Sequence, residues 1–208
     1  MKSETKKDIF SANERRTIKS LKTPAKLQEF VNALEYNTGK RISVVDVLRL
    51  KKGDCLEAAM FACYVLEEHK IEAFLMDLSV VRDEDHVLCV FKVNGLYGAI
   101  AQSKFLGLRY RHPVYASLRE LAMSYFDNYF SFQGYFSLRA HSVPLRPDFS
   151  DKNLIRARFV VEIEAKFSEI KHVEIVPRNI KLVPASREKF KREVIILPSY
   201  AKVAKKYK

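Results

Sequence analysis

The chain has 208 residues, 48% of them hydrophobic and 12% aromatic, with only 6 Gly and 7 Pro. That length suits one domain, or one domain with an appendage, and the composition excludes a wholly disordered, low-complexity or collagen-like chain. A net charge of +12 draws polyanions in general without choosing among nucleic acid, anionic membrane and acidic protein.

Residues 1–11 read as a frayed lead. Thr23-Pro24 then opens a helix, Thr as N-cap and Pro at the first position, with Leu27, Phe30, Val31 and Leu34 forming one apolar stripe until Asn37-Thr-Gly39. Residues 40–51 are a connector with a short apolar turn at 44–48. Gly53-Asp54 punctuates the start of a second helix over 55–69. Small and apolar residues cover much of its circumference, so a central, buried helix is expected.

A short buried strand is expected at 73–78, and a second over His86–Val93 beyond the charged loop Arg82-Asp-Glu-Asp85. Asn94-Gly95 is a strong hairpin signal, with 96–101 returning as the partner strand. Ser117-Leu-Arg-Glu120 is a capping box for a helix over 118–129. The aromatics around it, from Tyr125 to Phe136, are read as core. Beyond Pro144 and Pro147, residues 158–164 alternate charged and apolar. Segments 172–176, 180–183 and 194–197 are further strand candidates, so 151–208 is expected to be a basic, β-rich extension with a frayed tail behind a domain over 12–150.

Charge is uneven along the chain: residues 1–50 carry +5, 51–150 carry −1 and 151–208 carry +8. Chemistry in the middle block is therefore not driven by a basic groove. No RNA-binding signature accompanies the charge. The longest apolar runs, such as 87–93 interrupted by Lys92, fall short of the roughly 18–20 residues of a membrane span. No secretory signal is expected from the charged first residues. Three cysteines, Cys55, Cys63 and Cys89, do not make a disulfide framework, and a cytoplasmic protein is the expectation. No Cys/His spacing fits zinc and no glycine loop fits a nucleotide phosphate, so neither cofactor is expected.

Cys55 and His86 carry the candidate chemistry. A thiol at a helix start faces unpaired N–H groups and the positive end of the dipole, which is expected to lower its pKa. The same N–H groups suit an oxyanion. Pairing through the Asn94-Gly95 turn places Ser103 opposite His86, as a residue to orient the imidazole. Gln102 points to the other face unless a bulge shifts the register. Cys63 and Cys89 read as core.

In order, these elements resemble the transglutaminase-like superfamily, whose core is similar to that of papain-type cysteine enzymes. The matching residues are Thr23-Pro-Ala-Lys-Leu-Gln-Glu-Phe30, Lys52-Gly-Asp-Cys-Leu-Glu-Ala-Ala59, Asp85-His86, the Asn94-Gly95 turn and Leu96-Tyr-Gly-Ala-Ile-Ala-Gln-Ser103. Gly107-Leu-Arg-Tyr-Arg111 and Ser117-Leu-Arg-Glu-Leu121 extend it, so that it spans roughly residues 20–145. The resemblance implies an α+β fold with a central nucleophile helix on an antiparallel sheet. It also implies cysteine-dependent amide hydrolysis or acyl transfer on a peptide or protein, without a cofactor. Cys55 would be the nucleophile and His86 the base. The family's usual Asp orienter has no counterpart before Asp127, so Ser103 or Gln102 would take its place, and Tyr97 stands where the family commonly has Trp. The alternative expectation is an inactive fold that binds RNA or an acidic protein through residues 151–208.

Overall fold

The computed structural model describes residues 9–131, 133–177, 179–181 and 183–186. Four helices come first: α1 (Ala12–Ser20), α2 (Pro24–Asn32), α3 (Val44–Leu50) and α4 (Cys55–Glu68). Strands β1 (Ala73–Val80), β2 (His86–Val93), β3 (Leu96–Ile100) and β4 (Arg111–Tyr115) follow, then α5 (Leu118–Met123), β5 (Leu138–Ser142), α6 (Asp151–Leu154), α7 (Ala157–Glu169) and β6 (His172–Glu174). The fold is α+β, a helical and antiparallel mixture.

Side-chain caps set the helix starts: Ser11, Thr23, Ser43, Asp54 and Ser117 each accept a backbone N–H from the first turn. Such a cap contributes about 1 kcal/mol. The six strands pair antiparallel in the order β4-β3-β2-β1-β5-β6. The Asn94-Gly95 turn, both residues at positive φ, sets the β2–β3 register at Val93↔Leu96 and Lys92↔Tyr97. At Gly98 a Cβ would stand 2.5 Å from the Phe91 ring and 2.8 Å from the Arg111 carbonyl. Only glycine lets these strands close.

Strand alternation divides the core between two faces. Ala73, Leu75, Val87, Cys89 and Phe91 pack against the first four helices and α7. Phe74, Met76, Leu78, Leu88 and Val90 pack on the other side with Leu121, Tyr125 and Tyr129. Strands β1 and β2 are thus covered on both faces, which explains their nearly unbroken apolar sequences. In α4, every residue from Leu56 to Leu66 is buried.

Several expectations are corrected. Helix α1 and the helical form of 44–50 lie where no helix is expected, and the stretch after Ser117 breaks after Met123 into a short 3-10 turn at 126–128. The alternation at 158–164 belongs to helix α7, because Phe159, Val160, Ile163 and Phe167 recur at helical spacing and join the α4-side core. Strand β6 adds to the main sheet beside β5. Residues 151–174 are therefore part of the core, not a separate β-rich extension. No strand forms at 180–183 among the described residues there. The expected strand at 194–197, the frayed tail and residues 1–8 lie outside the described residues. Of the +8 on 151–208, +6 falls on 187–208, so the polyanion expectation rests mostly on residues outside the description. No helix of the described residues is long and apolar enough to cross a membrane.

Candidate active site

Helix α4 is fixed at its first turn by an unusual concentration of polar bonds. Asp54, the N-cap, accepts the Glu57 N–H at 3.0 Å, and Glu57 reaches back to the Asp54 N–H at 3.0 Å. The fully buried Glu57 carboxylate also takes the Ile42 N–H at 2.9 Å and both its oxygens take Asn37 Nδ2 at 2.9 Å. Burial still pushes the Glu57 pKa up. Arg41 bridges Asp54 to Glu164 of α7, joining the helix start to the C-terminal helix. The cap takes the Glu57 N–H and leaves those of Cys55 and Leu56 at the open end of the turn.

Cys55, half-buried, is the first residue of α4 and lines a cleft of about 930 Å³. His86 lines the same cleft from the first position of β2, together with Asp77, Ser103 and Tyr129. The backbone N–H of Val87, the residue after His86, faces the Cys55 sulfur closely enough to favour its ionised form. The His86 ring is 4% exposed. Its Nε2 lies 2.9 Å from the Leu108 carbonyl oxygen, and Tyr129 packs edge-on at 6.4 Å between ring centroids. A carbonyl only accepts, so Nε2 carries the proton and Nδ1 is the basic nitrogen. Tyr129 is held in turn by its hydroxyl, which donates to the Glu84 carbonyl at 2.5 Å.

The orienter is therefore a backbone carbonyl, where a side chain is expected. The β2–β3 pairs end at Cys89↔Ile100, so Ser103 never comes opposite His86 in the ladder. Helix α2 takes over the departing strand: Gln28 bonds both the N–H and the carbonyl of Ala101 at 3.0 Å. Gln102 is fully buried, and its amide nitrogen donates to the Val31 and Leu34 carbonyls at 3.1 and 3.0 Å. Ser103 stays at the cleft wall, its Oγ accepting the Phe105 N–H at 3.1 Å. Gln102 and Ser103 shape the turn that delivers Leu108, and neither holds the imidazole.

The electrostatics also depart from expectation. Burial, then the Asp54 carboxylate, pushes the Cys55 thiol up to about 12, against smaller opposing effects of the Val87 N–H and Arg41. The expected lowering at the helix start is not seen: burial is the larger cause of the rise, and the N-cap carboxylate beside the sulfur adds to it. Burial lowers His86 to about 4, opposed by the Leu108 carbonyl and reinforced by Arg111 and Lys104. At rest the thiol and the imidazole that line the cleft are both neutral.

The third feature of the cleft is Asp77, 2.9 Å by its backbone N–H from Ser142 Oγ and 3.0 Å by Oδ2 from His172 Nε2. A carboxylate inside the apolar run 74–78 was the signal available in the sequence; its partner on β6 was not foreseeable. Neither a protein-family model nor a curated protein matches the chain.

Proposed function

We propose that the protein is a cysteine-dependent amide hydrolase or acyltransferase with a transglutaminase-like core, acting on a peptide or protein amide. The observation that supports it best is the fixed tautomer of His86, whose Nε2–H is committed to Leu108 in the cleft that also holds Cys55 at a helix N-terminus. Such a base and thiol fit a nucleophile activated in the act of attack.

Cys55 Sγ bonds to the substrate carbonyl carbon while its proton passes to His86 Nδ1. The carbonyl π pair moves to oxygen, facing the Cys55 and Leu56 N–H groups. Collapse breaks the C–N bond, and the imidazolium returns its proton to the leaving amine. Water or a second amine then attacks the thioester and restores the thiol. A neutral resting pair means that proton transfer accompanies attack, and no preformed thiolate is required.

The test is acylation by p-nitrophenyl acetate, followed by intact mass and peptide mapping. The expected result is an acetyl group on Cys55 that turns over, absent in Cys55→Ala and formed slower by about 10²–10⁴ in His86→Ala. Equal acylation of a folded Cys55→Ala variant overturns the assignment.

A further inference from the structure

One row of residues crosses the sheet at the floor of the cleft. Val87 pairs with Asp77 across β2 and β1, Ser142 follows on β5 and accepts the Asp77 N–H, and His172 pairs with Ser142 on β6. Asp77 is thus paired with the strand residue whose N–H faces the Cys55 sulfur, and its own charge reaches the thiol.

The bonds of His172 define the state of this row. Its Nδ1 lies 3.1 Å from the Ile170 carbonyl, so Nδ1 carries a proton. Its Nε2 lies 3.0 Å from Asp77 Oδ2. Both ring nitrogens are therefore engaged, and His172 has no nitrogen left for substrate. Asp77 Oδ1 differs. The Asp77 side chain is 4% exposed and the residue lines the cleft, yet among the described residues no donor meets Oδ1. A buried carboxylate oxygen without a donor is costly and needs an explanation.

The surroundings point to the sign of the missing donor. The adjoining loop brings two further carboxylates, Asp83 and Asp85, to the cleft that Asp77 lines. The cationic side chains of the same cleft are already engaged: Arg41 with Asp54 and Glu164, Lys104 with Glu84. Burial, then the charge of Asp85, pushes Asp77 up to about 6, a penalty that a bound cation removes. The cleft is acidic in a chain of net charge +12.

We infer that Asp77 is a specificity-determining residue that accepts a protonated amine or guanidinium carried by the acyl donor, close to the carbonyl attacked by Cys55. An amine held as ammonium has no lone pair to attack with, so this group is one that does not react. The inference rests on Cys55 being the nucleophile of this cleft.

Three methanethiosulfonates test it: 2-aminoethyl (cationic), methyl (neutral) and 2-sulfonatoethyl (anionic). Each is attacked at sulfur by the thiolate, forming a mixed disulfide and releasing methanesulfinate. Rates at Cys55 are read by peptide mapping, with the buried Cys63 and Cys89 as internal references. The cationic-to-neutral rate ratio is expected to exceed that of N-acetylcysteine by about tenfold, within the range of electrostatic steering, and to fall by most of that factor in Asp77→Asn, Asp83 and Asp85 of the loop keeping the remainder. His172→Gln, which still donates to Oδ2 but removes the positive partner, is expected to keep or raise the ratio.

A wild-type ratio no greater than that of N-acetylcysteine overturns the inference without any variant. So does an unchanged ratio in folded Asp77→Asn, or a His172→Gln ratio reduced to that of N-acetylcysteine. If Cys55 reacts with none of the three, the nucleophile assignment falls and this inference with it. Reaction without charge preference overturns this inference alone.

Discussion

His86 shows what burying an imidazole costs. Its imidazole is buried against Tyr129 with one bond, to Leu108, so protonating it places a charge where water cannot reach. Its folded pKa of about 4 lies below the ordinary value of 6.5. Between those values the unfolded chain takes up a proton that the folded chain refuses, so stability falls as pH drops from about 6.5 to about 4 and is regained on raising it. The shift corresponds to roughly 3 kcal/mol. Urea unfolding at pH 7 and pH 4.5 checks this: the wild type is expected to lose most of that amount, and His86→Gln to lose less. Equal acid sensitivity in the two proteins contradicts the assignment of a neutral, buried His86. The position of His86, opening a strand beside a polar loop and lining the cleft, was legible in the sequence. Its orienter was not, because a backbone carbonyl leaves no side-chain signature.

At the scale of elements, the first turn of α4 decides where the thiol sits. The Asp54–Glu57 capping box is local and readable from spacing, yet its strength comes from chain segments 15 to 20 residues away in sequence, Ile42 and Asn37. Glu57→Ala removes the acceptor for the Asp54 and Ile42 N–H groups and for Asn37 Nδ2. The Asn37 bond is buried and the two backbone bonds are partly buried; an orphaned buried donor costs about 1–3 kcal/mol, so a loss of about 2–3 kcal/mol is expected in denaturant unfolding. Glu57→Gln keeps one acceptor oxygen and is expected to lose less. A loss below about 1 kcal/mol for the alanine variant, within the range of an ordinary cap, would show that the turn does not depend on this carboxylate. The β2–β3 hairpin behaves in the opposite way. Its register follows from Asn94-Gly95 alone, but it ends at Ile100 because Gln28 of α2 captures Ala101.

For the whole molecule, the consequential element is α7. It buries Phe159, Val160, Ile163 and Phe167 in the core shared with α4, and Glu164 meets Arg41 at the helix start. Truncation after residue 150 therefore exposes part of the main core and is expected to abolish cooperative thermal unfolding. Ile163→Ala in the full chain is expected to cost about 2–5 kcal/mol. A truncated chain that still melts cooperatively at the wild-type temperature would restore the view of 151–208 as an appendage. Charged residues alternating with apolar ones over 158–164 fit a strand and a helix about equally well over so short a window. Contact with α4 selects the helix.

The sequence by itself determined the features that depend on neighbours a few residues apart: the Thr23 and Asp54 caps, the Asn94-Gly95 turn, the existence of strands β1 and β2, and the placement of Cys55 and His86 at element starts. The tertiary structure alone decided which groups meet. Leu108 reaches His86 across 22 residues and His172 reaches Asp77 across 95. It also decided the charge of the site, since burial and the Asp54 carboxylate together push the Cys55 thiol up. Caps and turns are settled by short-range sterics and hydrogen bonds, whereas desolvation and long-range partners exist only once the sheet and its helices have closed around them.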